Sequence, residues 1–234
     1  MSEEISKKGY KVAISGTGAD EIFTGYYDHY LLHLQSIYKH KSFKKNLENW
    51  YKFVLPFIRN PNLKDPYLYI HDKKNRDNVF ETKLGIKNFS RLIKRFNFTE
   101  KKYSNELLRN RMLNELFHEV VPIILKHDDL NSMFFSIENR SPYLDKEILE
   151  FSLKVPPEIL IKNGYQKNLL RTASKKVLLD EIRLDRQKKG FNASINSILD
   201  IKNTKNLNKI FNKKNPINDF INLKKFRDSI DLES

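Results

Sequence analysis

Cysteine is absent from all 234 residues. That removes disulfides, thiolate metal sites and a cysteine nucleophile from the chain's chemistry, and it agrees with a reducing compartment. The N-terminal stretch MSEEISKKGYK lacks the apolar core of a signal peptide. No apolar run reaches the length needed to span a bilayer. A cytoplasmic protein with no membrane partner is the expectation. Internal repeats and linker-like low-complexity stretches are also missing, so the chain reads as one large domain or two small ones.

Charge of one sign is in excess. The net charge is +14, and most of it falls in the middle third, where residues 35–126 carry +11. Two readings stay open: solvated lysine faces, or a functional basic surface. Basic residues there are not interleaved with stacking aromatics at regular spacing. The chain also lacks a recognised nucleic-acid motif, so no nucleic-acid partner is expected.

What is present is sharpest near the start. Tyr10-Lys11-Val12-Ala13-Ile14 reads as a strand. Ser15-Gly16-Thr17-Gly18-Ala19-Asp20-Glu21 follows, and then a helical apolar rhythm through Ile22, Phe23, Tyr26, Tyr27, Tyr30, Leu31 and Leu34. A glycine-containing turn between a parallel strand and a helix is where ligands bind in open α/β sheets. Gly16 and Gly18 allow close backbone approach. The turn is neither a dinucleotide fingerprint, which needs a third glycine where Glu21 stands, nor a Walker A loop, which ends in Gly-Lys-Ser/Thr. Asp20 and Glu21 either cap the helix or help to hold Mg²⁺ beside a polyphosphate.

Further helices are expected over 43–58, 104–126 (kinked or divided at Pro122), 145–155 and 166–179, with a proline-punctuated loop over 59–66. Residues 67–103 are weakly periodic, and short helices separated by turns are expected after Asn192. Only one strand is evident. A parallel sheet cannot consist of one strand, so its neighbours are either absent or supplied by another chain.

The string Ser15–Tyr26 resembles the Ser-Gly-x-Gly-x-Asp-Glu-Leu/Ile-Phe-x-Gly-Tyr signature of the asparagine synthetase synthase domain. Three later segments are similar to that family in the same order. They are Asp128–Met133 followed by Ser136–Asp145, Lys167–Arg171, and Arg186–Phe191. The likeness runs over residues 8–195, and a domain over 1–195 with a short helical extension over 196–234 is expected. It implies an α/β fold of the adenine-nucleotide α-hydrolase, PP-loop type, mostly helical in this portion. It also implies ATP and Mg²⁺ as cofactors and an amide-forming ligase: a carboxylate is activated as an acyl-adenylate, and an amine attacks it. The partner substrate is aspartate or the carboxylate of a tailoring substrate.

The same likeness assigns roles. Lys167 matches the family's catalytic lysine, with Glu138 and Arg171 as further catalytic candidates. Ser15, Gly16, Thr17, Gly18, Asp20, Arg140, Arg186, Lys188 and Lys189 match nucleotide-binding positions, and Asp20 the metal position. For Glu138 with Arg140 the alternative is a pair organising the loop before Pro142. For Arg171 it is a structural ion pair.

Four departures stand out. The Ser-Gly-Gly-x-Asp-Ser pyrophosphate loop and the glutaminase domain do not occur in the chain. Thr17 stands where many asparagine synthetases carry an acid, and Leu130 where many carry arginine. The expectation is therefore a partial domain that needs a separate N-terminal chain bearing the PP-loop or glutaminase, and that is poorly active alone. The alternative is a non-catalytic fragment or interaction subunit.

Overall fold

The computed structural model describes residues 1–74, 99–187 and 212; apart from Asn212 these lie in one compact unit. The expected 195/196 boundary and the helices after Asn192 lie outside the described residues. So do Lys188 and Lys189.

The first helix, α1 (Ser2–Lys7), leads into β1 (Val12–Ile14). Two helices follow the glycine turn, α2 (Ala19–Phe23) and α3 (Tyr27–Ser36). Tyr30, Leu31, Leu32 and Leu34 of α3 are all fully buried, and Asp28, His29 and His33 are buried beside them. A helix covered on nearly all sides is a core helix, and the rest of the unit packs around it. Next come α4 (Phe43–Phe53) and α5 (Leu68–His71). α4 inserts Trp50 into the core, with Phe43 and Leu47 packed against it on the same face. The expected helix over 43–58 stops early because Pro56 cannot donate to residue 52 and its ring crowds that carbonyl. The chain tightens instead into a 3₁₀ turn, Leu55–Phe57, and a second one, Pro61–Leu63, lies within the expected loop.

The predicted division at Pro122 is present and has a defined form. α6 (Leu107–Asn114) passes into a π-helical segment, Glu115–Glu119, and then into α7 (Val121–Phe134). Val120 N donates to Glu115 O at 2.9 Å, five residues back. The wider turn absorbs the donor that Pro122 lacks. The helix begins three residues later than expected and continues eight further, to Phe134.

The remaining helices are α8 (Lys146–Lys154), α9 (Pro157–Leu160), α10 (Asn168–Ala173) and α11 (Asp180–Arg183). Asp145 caps α8 by accepting from Glu147 N at 2.8 Å. Val155, before two prolines, is extended and ends it. The helix predicted over 166–179 is much shorter. Lys167 is left-handed (φ +53°) and so stays outside α10, while Val177 and Leu179 remain exposed. No buried face draws the helix onward.

The one-strand expectation is corrected. A second strand, β2 (Glu138–Arg140), pairs in parallel with β1 in the register Val12↔Glu138, Ala13↔Asn139, Ile14↔Arg140. Its sequence, Glu-Asn-Arg, carries no β-forming signal, so spacing could not reveal it. β1 is also shorter than the five residues expected. Among the described residues these two strands are the whole sheet, and Ile14 is 76% exposed. No helix among the described residues is long and apolar enough to cross a membrane.

Candidate functional site

The carboxyl ends of β1 and β2 deliver two loops to one place. Ser15 N donates to Arg140 O at 2.8 Å, which ends the ladder. Beyond it the Ser15 hydroxyl lies 3.0 Å from those of Thr17 and Ser141. Three hydroxyls thus gather at the strand ends. A Cβ added at Gly16 would meet nothing within 4 Å, so the turn is open there. Gly18 differs: its φ is +93° and a Cβ would overlap Leu144. Only glycine suits that close, left-handed approach.

The two acidic residues after the turn diverge. Glu21 is buried and accepts the Tyr26 hydroxyl proton. Burial, and then the Glu21 carboxylate, push the Tyr26 phenol well above its ordinary pKa, so it stays protonated. Asp20 remains partly open, with its side chain 20% exposed, and forms an ion pair with Lys167. The Lys167 side chain is 34% exposed. Its backbone is held in turn, since Lys167 N donates to Thr24 Oγ1 at 3.3 Å and Gln166 Nε2 donates to Tyr26 O. Residues separated by nearly 150 positions in sequence therefore meet as a carboxylate and an ammonium beside the glycine turn.

The other expected residues lie differently. Glu138 and Arg140 pair at 2.8 Å on the exposed face of β2; their mutual hydrogen bond lowers the Glu138 pKa and raises that of Arg140. Arg171 donates Nε to Gln166 O at 2.9 Å and NH1 to Arg183 O, and rests on the Tyr165 ring. Arg186 is sandwiched between the Phe53 and Tyr165 rings, 3.8 and 3.6 Å from their centroids, and donates to Asn163 O. The guanidinium stacks on both rings.

Beneath the loop lies a network that the sequence reading missed. His29 Nε2 is 2.7 Å from Glu115 Oε2, both buried. Arg111 reaches Glu100 at 2.6 Å and Asp28 at 3.3 Å. Burial pushes the Glu115 carboxyl up; for His29 burial works against the charge, but Glu115 outweighs it and raises the pKa. A signal existed: Arg111 follows Leu108 by one helical turn, so a charge sat on an apolar face. Asp28, His29 and Glu115 are spaced as a metal could require. Arg111 already neutralises Asp28, so the geometry there is that of a charge network.

As for cofactors, a single partly open carboxylate, Asp20, suits one edge of a hydrated Mg²⁺, which keeps several waters. The Lys167 ammonium and the open turn at Gly16 suit phosphate oxygens. The residues present fit both groups.

Comparison with known proteins gives the same direction. The profile of the asparagine synthase family matches residues 1–233. Asparagine synthetase [glutamine-hydrolyzing] 1 of Bacillus subtilis (strain 168) is 31% identical over 208 residues, covering 80% of this chain. The chain spans about a third of that relative's length (31%). No solved structure matches significantly.

Proposed function

Since the chain belongs to the asparagine synthase family, we propose that it forms one wall of an ATP-dependent, amide-forming active site. In this reading a carboxylate oxygen attacks the α-phosphorus of ATP. The bond to pyrophosphate breaks, and an acyl-adenylate forms. An amine nitrogen then attacks the acyl carbon, AMP leaves and the amine loses a proton. Two anions must approach each other in the first step, so the site has to offset their repulsion.

Lys167 meets that need as a fixed ammonium over the phosphates and, later, over the tetrahedral acyl oxygen. Asp20 would hold Mg²⁺, which neutralises phosphate charge when bound. Ser15, Gly16, Thr17 and Gly18 line the approach of the nucleotide. Glu138 and Arg140, exposed on the sheet, would face the same cleft from β2. Arg171 acts on the site through its grip on the Gln166 carbonyl, next to Lys167. Thr17 Oγ1 accepts from the Ser15 hydroxyl where a carboxylate would repel an anion, so aspartate and larger carboxylates are both acceptors to test.

The observation that carries this reading is the Asp20–Lys167 pair at the carboxyl mouth of parallel strands, where open α/β sheets bind their ligands. The exposed sheet supports a second element. The opposite wall, with a pyrophosphate-binding loop, would come from polypeptide outside the described residues, including a PP-loop or glutaminase chain. Residues 1–195 would be the synthase portion.

The test is carboxylate-dependent ATP–pyrophosphate exchange, aspartate being the first acceptor tried. The purified chain should be poorly active. A chimera carrying its matched segment in place of the corresponding segment of the Bacillus subtilis relative should exchange. Fast exchange by the chain alone removes the two-wall proposal, and a folded but inactive chimera with every acceptor tried removes the adenylation reading.

A further inference from the structure

The Asp20 carboxylate packs directly on Gly25. A Cβ at Gly25 would overlap the carboxylate, so the backbone there sets where the carboxylate can sit. Gly25 is itself tethered, because its N–H donates to His29 Nδ1 at 3.3 Å. A ring nitrogen that accepts carries no proton, so the neutral imidazole bears its hydrogen on Nε2 and donates it to Glu115 Oε2 at 2.7 Å. Glu115 opens the π-helical segment, whose wider turn brings its carboxylate to a fully buried ring. The Tyr26 ring packs edge-on to His29, with centroids 5.1 Å apart.

We propose that His29, oriented by Glu115, is a positioning residue: it fixes the Gly25 backbone and, through it, holds the Asp20 carboxylate against Lys167. This rests on the reading of Asp20 and Lys167 as the charged pair of the cleft. The chain of contacts runs Glu115 to His29 to Gly25 to Asp20 to Lys167, and each link is a hydrogen bond, a packing contact or an ion pair.

The ring's two nitrogens do separable work, and two amide variants divide them. His29→Asn sets a carbonyl oxygen near the place of Nδ1, where it accepts from Gly25, but loses Glu115. His29→Gln reaches Glu115 with its amide and removes the Nδ1 acceptor that tethers the Gly25 N–H. The readout is competitive acetylation of Lys167 by acetic anhydride, resolved by peptide mass spectrometry on the whole chain without nucleotide. An ammonium released from its carboxylate reacts faster. His29→Gln should raise Lys167 labelling about two- to five-fold, the range of a partly exposed ion pair, and His29→Asn should stay near the parent. Equal labelling in all three proteins overturns the proposal, as does a rise in the Asn variant matching that in Gln.

Should His29→Gln fail to fold, the unmodified chain still decides. Its ¹⁵N–¹H imidazole spectrum, followed to a pH above the raised His29 pKa, should show the neutral ring unprotonated at Nδ1, and a neutral ring with its proton on that nitrogen overturns the proposal. Neither measurement involves ATP. Loss of exchange in the chimera would therefore remove the adenylation reading while this positioning role stood or fell by itself.

Discussion

Two regions of this molecule are built to different standards. Around α3 the packing is closed: Trp50, Tyr30, Tyr69 and Leu108 are fully buried, and Arg111 is paired on two sides. Around the sheet it is open, with Ile14 76% and Phe134 81% exposed, and the ion pair on β2 lies in solvent. The parallel strands of α/β proteins are ordinarily covered on both faces. The difference teaches where each property resides. Stability belongs to the helical body, whereas the strands serve to present the Ser15 and Ser141 loops. The candidate charged pair lies between, with Asp20 beside the sheet's loop and Lys167 at the start of α10.

The contrast can be broken most forcefully in the body. Arg111→Met removes the partner of two carboxylates and should destabilise the chain by about 3–5 kcal/mol in urea denaturation. Trp50→Ala should cost a similar amount, about 3–5 kcal/mol, through the cavity it leaves. A loss below about 1 kcal/mol in either variant would mean that the body is not the stable region.

Acid should act next. His33 is buried, and burial depresses its pKa to about 4 from 6.5. Between those values the unfolded chain binds a proton that the folded chain does not. Stability therefore falls as pH drops from 6.5 to 4, by roughly 2–3 kcal/mol. His29 and Glu115 have raised values and act in the opposite sense, so the comparison is made against His33→Leu. That variant should lose the His33 part of the slope, and a slope identical to the parent's would place the acid sensitivity elsewhere. A smaller effect is expected at the α8 cap, where Asp145→Ala should cost about 1 kcal/mol. The smallest belongs to the sheet: Ile14→Ala should change stability by less than about 0.5 kcal/mol. A large loss there would show that the sheet is already covered.

The sequence told most where a residue's neighbours along the chain decide its state. Pro56 and Pro122 ended or divided helices because their missing N–H acts locally, and Gly18 marked the turn for the same kind of reason. β2 was hidden because Glu-Asn-Arg becomes a strand only through pairing with a segment more than 120 residues away. The helix expected at 166–179 shrank because Lys167 took a left-handed conformation, with Asp20 and Thr24, distant in sequence, as its partners. The resemblance singled out Asp20 and Lys167 as candidates, and the structure brings them together as an ion pair, while the buried His29–Glu115 pair had no signal in the sequence. Its members are unremarkable residues on two helices until the fold brings them together. Arg186 was placed among nucleotide-binding positions by family resemblance; its stacking between Tyr165 and Phe53, the latter over a hundred residues earlier, was not legible.

The most direct measurement is the exchange rate of the Bacillus subtilis chimera with and without Lys167→Ala. A fixed charge aimed at developing negative charge is worth about 10²–10³ in rate. The account expects a loss of that order with the fold intact by circular dichroism. Unchanged exchange in the folded Lys167→Ala chimera would contradict it.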